Sequence, residues 1–193
     1  MSTTMTTVLN AITRRRRSGA AVLLALLLSC LIAPRLTAAD ATYSEAVVKA
    51  EFLSRFGEYV EWPAERGAAD SLTIAVLGSP EVATELRRIT AGRVVQGKSV
   101  RVREVARVEE AADADVLYIG AAANDRALRT VASRPRPAQL IVTDSQTGLD
   151  QGGMINFVLI DHRVRFEVAL PASERAGLKL SSRLLGVALR VTR

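Results

Sequence analysis

The string that most directly suggests chemistry is Gly92-Arg93-Val94-Val95-Gln96-Gly97-Lys98-Ser99, which fits the phosphate-loop pattern G-x-x-x-x-G-K-[ST]. Such a loop binds phosphates when a strand precedes it and a helix follows it, because backbone N–H groups and the helix N-terminus must point at the ligand. Here a helical segment comes first, and an alternating Val/Arg segment, residues 99–105, comes after. We therefore predict a connecting turn with Gly97 at its tip.

A serine and lysine pair near the C-terminus is the other candidate for catalysis. Ser181 and Ser182 follow Lys179, and on a helix Lys179 and Ser182 would be the better aligned pair. The alternative is that small residues pack a helix close to the sheet. No G-x-S-x-G nucleophile elbow occurs in the sequence. We prefer the packing interpretation and predict no catalytic residue.

Metal-ligating and cofactor-binding patterns are also missing from the sequence. The chain has one histidine, His162, in a predicted turn, and one cysteine, Cys30, so it cannot form an ordinary zinc site. No Asp-rich calcium loop is present. We therefore predict no metal and no cofactor.

Three apolar segments end in residues that are typical of strand ends in open α/β sheets. They end at Gly78, Gly120 and Asp144. Ligands of such sheets bind at the carboxyl ends of the strands, although no G-x-G-x-x-G follows any of them. We expect Asp144 to cap a helix or a turn, and a strand-end ligand pocket remains an alternative.

The periodicity predicts an α/β domain. Helical segments are expected at residues 43–60, 81–90, 108–112, 124–132, 171–175 and 178–189. Strands are expected at residues 72–77, 99–105, 116–119, 140–143, 154–160 and 163–170. Alternation of helices and strands predicts a largely parallel sheet covered by helices on both faces. Residues 154–170 add an antiparallel β-hairpin near the C-terminus.

The first 39 residues are typical of a secretory signal peptide. Arg14 to Arg17 form a cationic run, residues 20–33 are apolar, and Thr37-Ala38-Ala39 supplies small residues for cleavage. We predict export to the periplasm with cleavage near Ala39, followed by a single domain at residues 40–193. An uncleaved anchor and a lipoprotein modified at Cys30 are the alternatives that we do not prefer.

Removing the signal peptide changes both the charge and the redox argument. Five of the 26 basic residues and none of the 20 acidic ones lie in residues 1–39, so the remaining chain is nearly neutral. A nucleic-acid partner would require a basic face, and we predict none. Because Cys30 is the only cysteine, the mature chain can form no disulfide, which excludes redox control by its own thiols.

Several short strings, taken in order, resemble the YfiR/HmsC-like family of periplasmic proteins. The resemblance covers about residues 44–191. The strings are Val48-Lys49-Ala50 through Phe52, Phe56 and Tyr59 to Glu61-Trp62-Pro63; residues 72–78; Gly97-Lys98; residues 115–120; Gly152-Gly153-Met154-Ile155-Asn156-Phe157; residues 163–168; and residues 178–185.

This resemblance implies regulation in the periplasm of Gram-negative bacteria. The best-known members bind the periplasmic sensor domain of an inner-membrane diguanylate cyclase and hold it inactive, so that cyclic di-GMP signalling and biofilm formation depend on release. An outer-membrane lipoprotein can act as the releasing partner. The best-known members carry disulfides, which this chain cannot form after cleavage.

The resemblance leads to three hypotheses about function. The first is a regulator that binds a diguanylate cyclase or a sensor kinase in the inner membrane, with a homodimer as a further option. The second is a small-ligand sensor, and the third is an exported hydrolase.

The family strings also supply the candidate site residues. Trp62, Arg163, Arg165 and Glu167 could contact a partner, since the last three alternate along one face of a strand. We expect structural roles for Pro63, Gly152, Gly153, Met154, Phe157, Phe166, Leu180, Ser181 and Ser182.

Overall fold

The computed structural model describes residues 38–64, 70–123, 125–133 and 138–193, so most of the predicted signal peptide lies outside it. Its helices are α1 (Ala38–Phe56), α2 (Pro80–Thr90), α3 (Asp125–Ser133), α4 (Leu170–Arg175) and α5 (Ser182–Val187). Its strands are β1 (Val60–Glu61), β2 (Ser71–Leu77), β3 (Val94–Val95), β4 (Lys98–Val105), β5 (Val116–Ile119), β6 (Leu140–Thr143), β7 (Ile155–Ile160), β8 (Arg163–Ala169), β9 (Lys179–Leu180) and β10 (Arg190–Thr192). Residues Gly57–Tyr59 and Val108–Ala111 form short 3-10 helices.

One large sheet contains most of these strands. In the described part of the chain its order is β10-β8-β7-β6-β5-β2-β4-β3, and β1 and β9 form a separate antiparallel pair. Neighbours are parallel from β4 through β2, β5 and β6 to β7. The pairs β3/β4 and β7/β8 are antiparallel hairpins. The predicted largely parallel sheet with a C-terminal hairpin is confirmed.

The central strands are the most apolar segments because both of their faces are covered. Every residue of β5 and β6 is buried, whereas β4 alternates between partly buried and exposed positions over most of its length. The crossovers explain this difference. From β2 the chain passes through α2 to β4 on one side, and from β5 it passes through α3 to β6 on the other, so right-handed connections place α2 and α3 on opposite faces.

Helix α1 packs on the sheet through an aromatic cluster. The rings of Phe52 and Phe56 lie with their centroids 5.4 to 6.0 Å from those of Phe157 and Phe166, in stacked, tilted and edge-on arrangements. Tyr118 of β5 lies 6.0 Å from Phe157. Aromatic pairs at these separations stabilise a core beyond the area that they bury. This cluster joins the first helix to the β7–β8 hairpin.

The string that fits the phosphate-loop pattern contains the predicted turn, and this turn joins two antiparallel strands. Gln96 and Gly97 have φ values of 51° and 79° and connect β3 to β4. Two left-handed residues match a two-residue turn to the twist of antiparallel strands. Because a strand rather than a helix follows Lys98, the string presents no helix N-terminus to a phosphate.

The predicted C-terminal helix over residues 178–189 is confirmed only at Ser182–Val187. Lys179 and Leu180 form β9 with β1, Ser181 caps the short helix α5, and Ala188 is extended. Arg190 then begins β10, which runs parallel to β8 at the edge of the sheet. Pairing with β1 and β8 gives this segment backbone partners that its helical periodicity does not reveal, and such tertiary contacts override weak local propensity.

The boundaries of the first helix also differ from the prediction of residues 43–60. Helix α1 begins at Ala38 and ends at Phe56, and Val60 already belongs to β1. Its inward face carries Ala46, Ala50 and Leu53, which are buried. In the described ranges, no helix combines the length and the apolar character that crossing a bilayer requires.

Candidate functional site

Polar side chains converge where β2, β5 and β6 end. We call this region the strand-end cleft, a concavity of about 280 Å³. Its lining includes Glu45 and Lys49 of α1, Ser79 and Glu81 at the start of α2, and Asp144, which follows β6. The chain leaves β2 toward one edge of the sheet and β5 toward the other, so the cleft lies at a topological switch point, where ligands of open α/β sheets bind.

A partly buried ion pair forms the centre of this cleft. The Lys49 ammonium contacts the Asp144 carboxylate and also lies 2.5 Å from Glu45 Oε1. Lys49 is only 7 % exposed. The Tyr118 hydroxyl donates to Asp144 Oδ2 at 3.3 Å. Asp144 therefore binds α1 to the end of the sheet, in place of the helix or turn cap that we expected.

The protonation states in the cleft follow from these contacts. Burial by itself would lower the pKa of Lys49, but the hydrogen bonds and charges of Asp144 and Glu45 outweigh it and raise this pKa. Burial, assisted by the negative charge of Asp144, raises the pKa of Tyr118 well above its ordinary value. At neutral pH the lysine is thus a cation and the tyrosine is neutral. Neither group offers a free base or an amine nucleophile.

One sequence signal could have identified the ion pair. Lys49 falls on the helix face that also carries Ala46, Ala50 and Leu53, so a charged residue sits within the apolar stripe of α1. A buried lysine needs an anionic partner. The sequence does not identify this partner, because Asp144 is 95 positions away.

A second cleft of about 540 Å³ opens at the carboxyl ends of β2 and β4. Leu77 and Val105 contribute apolar surface, and Arg107 and Arg126 contribute positive charge. Arg107 Nε donates to Glu110 Oε1 at 3.0 Å. The volume is in the range of small-molecule sites.

The three charged residues predicted on β8 share one face of the hairpin, but their environments differ. Arg163 and Arg165 are exposed and make no ion pair within the described residues. Glu167 instead accepts two hydrogen bonds from Arg190 of β10, at 2.9 and 3.1 Å. Glu167 thereby links β8 to the edge strand β10. Sequence reasoning missed Arg190 because no strand was predicted after residue 189.

Trp62 does not join these arginines on the large sheet. It follows β1 of the separate two-stranded sheet and packs partly buried against the core. Its buried indole Nε1 makes no hydrogen bond within the described residues. The adjacent Pro63 lies beside Gly177, where an added Cβ would be 3.5 Å from the proline Cγ.

The Gly152-Gly153-Met154 string surrounds a buried polar pair. Gly152 has a φ of 92°, which favours glycine. Thr143 Oγ1 donates to Asn156 Oδ1 at 2.7 Å, and this oxygen also accepts from the Ser145 backbone N–H at 3.2 Å. Met154 is buried beside this network. The string holds β6 and β7 together.

The serine and lysine pair does not assemble a nucleophile. Ser181 Oγ accepts a hydrogen bond from the Leu184 N–H at 3.3 Å, so it caps α5. Lys179 and Ser182 are both exposed. In the part of the chain that the structure describes, no three His, Cys, Asp or Glu side chains are grouped to hold a metal ion.

Fold and site together define an α/β protein with clefts at the strand ends and a projecting, arginine-bearing hairpin. The model of the YfiR/HmsC-like family matches residues 46–189. The chain belongs to this family.

Comparison with other proteins adds two distant structural similarities. A Vibrio cholerae conserved domain protein aligns with a TM-score of 0.48 and 11 % identity over 76 % of this chain. An ABC domain from Streptococcus pneumoniae, solved in complex with L-Trp, aligns with a TM-score of 0.45 and 13 % identity over 62 % of this chain. The chain spans 60 % and 55 % of those two structures, respectively. No curated protein matches the chain.

Family membership narrows the class of function. Members of the family are regulators rather than enzymes, and membership is consistent with periplasmic control of diguanylate cyclase signalling and biofilm formation. It also suggests an interaction with an inner-membrane signalling protein.

Proposed function

We propose that this protein is a periplasmic regulator that binds the periplasmic sensor domain of an inner-membrane diguanylate cyclase and represses it. The observation that carries the proposal is the family match over residues 46–189. In the proposed arrangement residues 1–39 are the cleaved signal peptide and residues 40–193 are the regulatory domain. A homodimer and a releasing outer-membrane lipoprotein belong to the same proposal.

Repression needs only a difference in affinity between two states of the partner. If the protein binds the inactive state of the sensor domain more tightly, it shifts the population toward that state. No covalent step is involved, which agrees with the protonated Lys49 and neutral Tyr118 of the strand-end cleft.

The β8 face supports a protein interface. Arg163 and Arg165 are exposed without ion pairs in the described structure, and their cross-strand neighbours are the apolar Ile160 and Val158. Arginine is enriched at protein interfaces and among the residues that contribute most to binding. We propose these two arginines as contacts to acidic groups of the partner.

The test is capture of membrane proteins by the tagged chain expressed in the periplasm, followed by mass spectrometry. We expect recovery of one inner-membrane protein with a cytoplasmic cyclase or kinase domain. The double variant Arg163→Glu/Arg165→Glu should reduce that capture at least tenfold. Arg101→Glu is the matched control, because Arg101 is likewise an exposed strand arginine without an ion pair in the described residues.

The outcomes separate two parts of this proposal. Recovery of no membrane signalling protein by the wild-type chain would contradict the regulatory function. Equal capture by the double variant and by Arg101→Glu would leave the function standing and remove the β8 face from the interface.

A small-ligand sensor is the second candidate, and the clefts favour it. The second cleft, of about 540 Å³, presents Arg107 and Arg126, which suit an anionic ligand. Thermal-shift screening of the exported domain tests this candidate. A saturable increase in melting temperature that Arg126→Ala abolishes would support a sensor.

A further inference from the structure

The β7–β8 hairpin extends beyond the strands that flank it. On its inner side β6 pairs with β7 only at Ile155 and Asn156. On its outer side β10 pairs with β8 only from Glu167 onward. Four residues of β7, numbers 157–160, therefore continue past the end of β6 with β8 as their only paired strand in the described structure.

The direction of the backbone groups along β7 follows from one hydrogen bond. The Ala169 N–H donates to the Met154 carbonyl at 2.8 Å, so this pair faces across the hairpin. In an antiparallel pair of strands, the backbone groups of successive residues point alternately toward and away from the partner strand. The N–H and C=O of Val158 and Ile160 therefore also point toward β8. Leu159 must then direct its N–H and C=O away from β8, toward the side where β6 has ended.

The side chains at this edge are apolar and accessible. Leu159 is 53 % exposed and Ile160 is 46 % exposed. Residues 158–160 contain no charged residue and no proline, although edge strands are usually protected by such residues. A strand edge of this kind is a template for pairing with another extended segment.

Charge indicates what kind of segment fits. Arg163 and Arg165 make no ion pair in the described part of the chain and lie one strand away from this edge. A second copy of the hairpin would offer its own residues 157–160, which carry no acidic side chain to pair with these arginines. An acidic segment would instead meet opposite charge about two strand spacings away, roughly 10 Å, which long side chains can span.

We infer that the β7 edge at Leu159 binds an extended, acidic segment of the partner protein as an added strand. This inference rests on the proposed regulatory function and specifies how the partner docks. The Leu159 N–H and C=O would form the main-chain bonds, and the two arginines would select acidic side chains.

The test uses proline to remove a single N–H group. In Leu159→Pro the lost N–H faces away from β8, so the hairpin keeps its own hydrogen bonds, and edge strands tolerate proline at such positions. Leu159→Thr keeps the N–H and removes the apolar side chain. Val94→Pro is the matched control in β3 at the opposite edge. The Val100 N–H bonds to the Arg93 carbonyl at 3.4 Å, so the Val94 N–H also faces outward.

We expect Leu159→Pro to reduce capture of the membrane partner at least tenfold, with Leu159→Thr within threefold of wild type and Val94→Pro unchanged. Circular dichroism and thermal melting check that each variant folds. If Leu159→Pro does not fold, hydrogen exchange of the wild-type protein with its captured partner decides: the Leu159 amide should become protected on binding, and those of Val158 and Ile160 should change little.

Other results would overturn the inference. If Leu159→Pro captured the partner as well as the wild type does, main-chain pairing would be excluded. The same would follow if Leu159→Thr lost as much capture as Leu159→Pro. Either result would leave the regulatory function in place. A wild-type dimer that Leu159→Pro converts to a monomer would identify a second copy as the occupant. Failure of the wild-type chain to capture any signalling protein would instead contradict the function on which the inference rests.

Discussion

Two hairpins close the sheet near its opposite ends, and both use the same local turn. The β3–β4 hairpin turns at Gln96 and Gly97, and the β7–β8 hairpin turns at Asp161 and His162. All four residues have φ values between 49° and 79°, which suits two-residue turns between twisted strands. The surroundings of the two turns differ, so one hairpin is fixed to the rest of the fold and the other is exposed.

The first hairpin is anchored and the second projects. The Gln96 amide donates to the carbonyls of Gly57 and Val60 at 2.9 and 3.2 Å and thereby ties the β3–β4 turn to the end of α1. In the β7–β8 hairpin only the base is buried in the core, through Phe157 and Phe166, and the tip is exposed. This contrast teaches that side-chain anchoring, and not turn type, decides whether a hairpin supports the fold or presents a surface.

The largest expected effect concerns the base of the projecting hairpin. Phe166→Ala should lower the free energy of unfolding by about 3–5 kcal/mol, because it leaves a cavity within the aromatic cluster. Leu159→Ala, at the exposed tip of the same hairpin, should change it by less than about 0.5 kcal/mol. Urea denaturation measures both, and similar losses would contradict the division into buried base and free tip.

The next effect concerns the end of α1 that lies beside the strand-end cleft. Lys49→Met should lower the free energy of unfolding by about 2 kcal/mol. This is less than the loss expected for a fully buried ion pair, because the Asp144 side chain is 21 % exposed. Arg55→Met on the same helix removes an exposed pair with Glu51 and should cost no more than about 0.5 kcal/mol. A cost for Lys49→Met as small as that of the control would show that the pair does not anchor α1.

The pH dependence has a definite sign. The pKa of Lys49 is higher in the folded than in the unfolded protein. The ion pair therefore stabilises the fold fully at pH values below the unfolded pKa of about 10.4, and this stabilisation is lost as the pH rises through the folded pKa. The raised pKa of Tyr118 acts in the same direction. Unfolding free energies measured between about pH 10 and 12 should therefore fall more steeply for the wild-type chain than for Lys49→Met.

A smaller effect tests the anchor of the other hairpin. Gln96→Ala removes two hydrogen bonds to the end of α1 and should cost about 1 kcal/mol. Val94→Ala, at an exposed position of the same hairpin, should be close to neutral by the same denaturation measurement. An equally neutral Gln96→Ala would remove the distinction between the two hairpins.

The smallest effect compares the turns themselves. Gly97→Ala should cost about 1 kcal/mol from backbone strain alone, because no atom lies within 4 Å of an added Cβ. His162→Gly should stabilise the fold by a few tenths of a kcal/mol, since glycine relieves the left-handed strain but adds freedom to the unfolded chain. Thermal melting should show the two shifts with opposite signs.

Local patterns were sufficient to predict most of this fold. β5 and β6 were predicted from short apolar runs, and the β7–β8 hairpin from two alternating segments joined at Asp161-His162, whereas at Gly97 only a turn was predicted and not the strand β3. These predictions succeeded because a short, fully apolar run is typical of a strand that is buried on both faces, and because alternation with a short turn is typical of a hairpin. The helix predicted over residues 178–189 was too long because Lys179 and Leu180 pair with the distant Val60–Glu61, and β10 was missed because it pairs with β8.

The candidate site was less accessible to sequence reasoning. The arginines of β8 could be placed on one face because strand alternation fixes their direction. The pairing of Glu167 with Arg190, and that of Lys49 with Asp144, join segments that are far apart in the chain. No periodicity within a segment contains that information.

The buried pair of Thr143 and Asn156 sets a rule for comparing sequences. A Cβ at position 148 would collide with both side chains, lying 2.6 Å from Asn156 Oδ1, and one at position 153 would lie 2.9 Å from Thr143 Oγ1 and 2.7 Å from the Gly148 carbonyl. Glycine at 148 is thus required by threonine at 143 and asparagine at 156, and glycine at 153 is required in addition by the backbone of residue 148. In an alignment of distant relatives, these four columns should vary together, which provides a signature for the fold even where overall identity has disappeared.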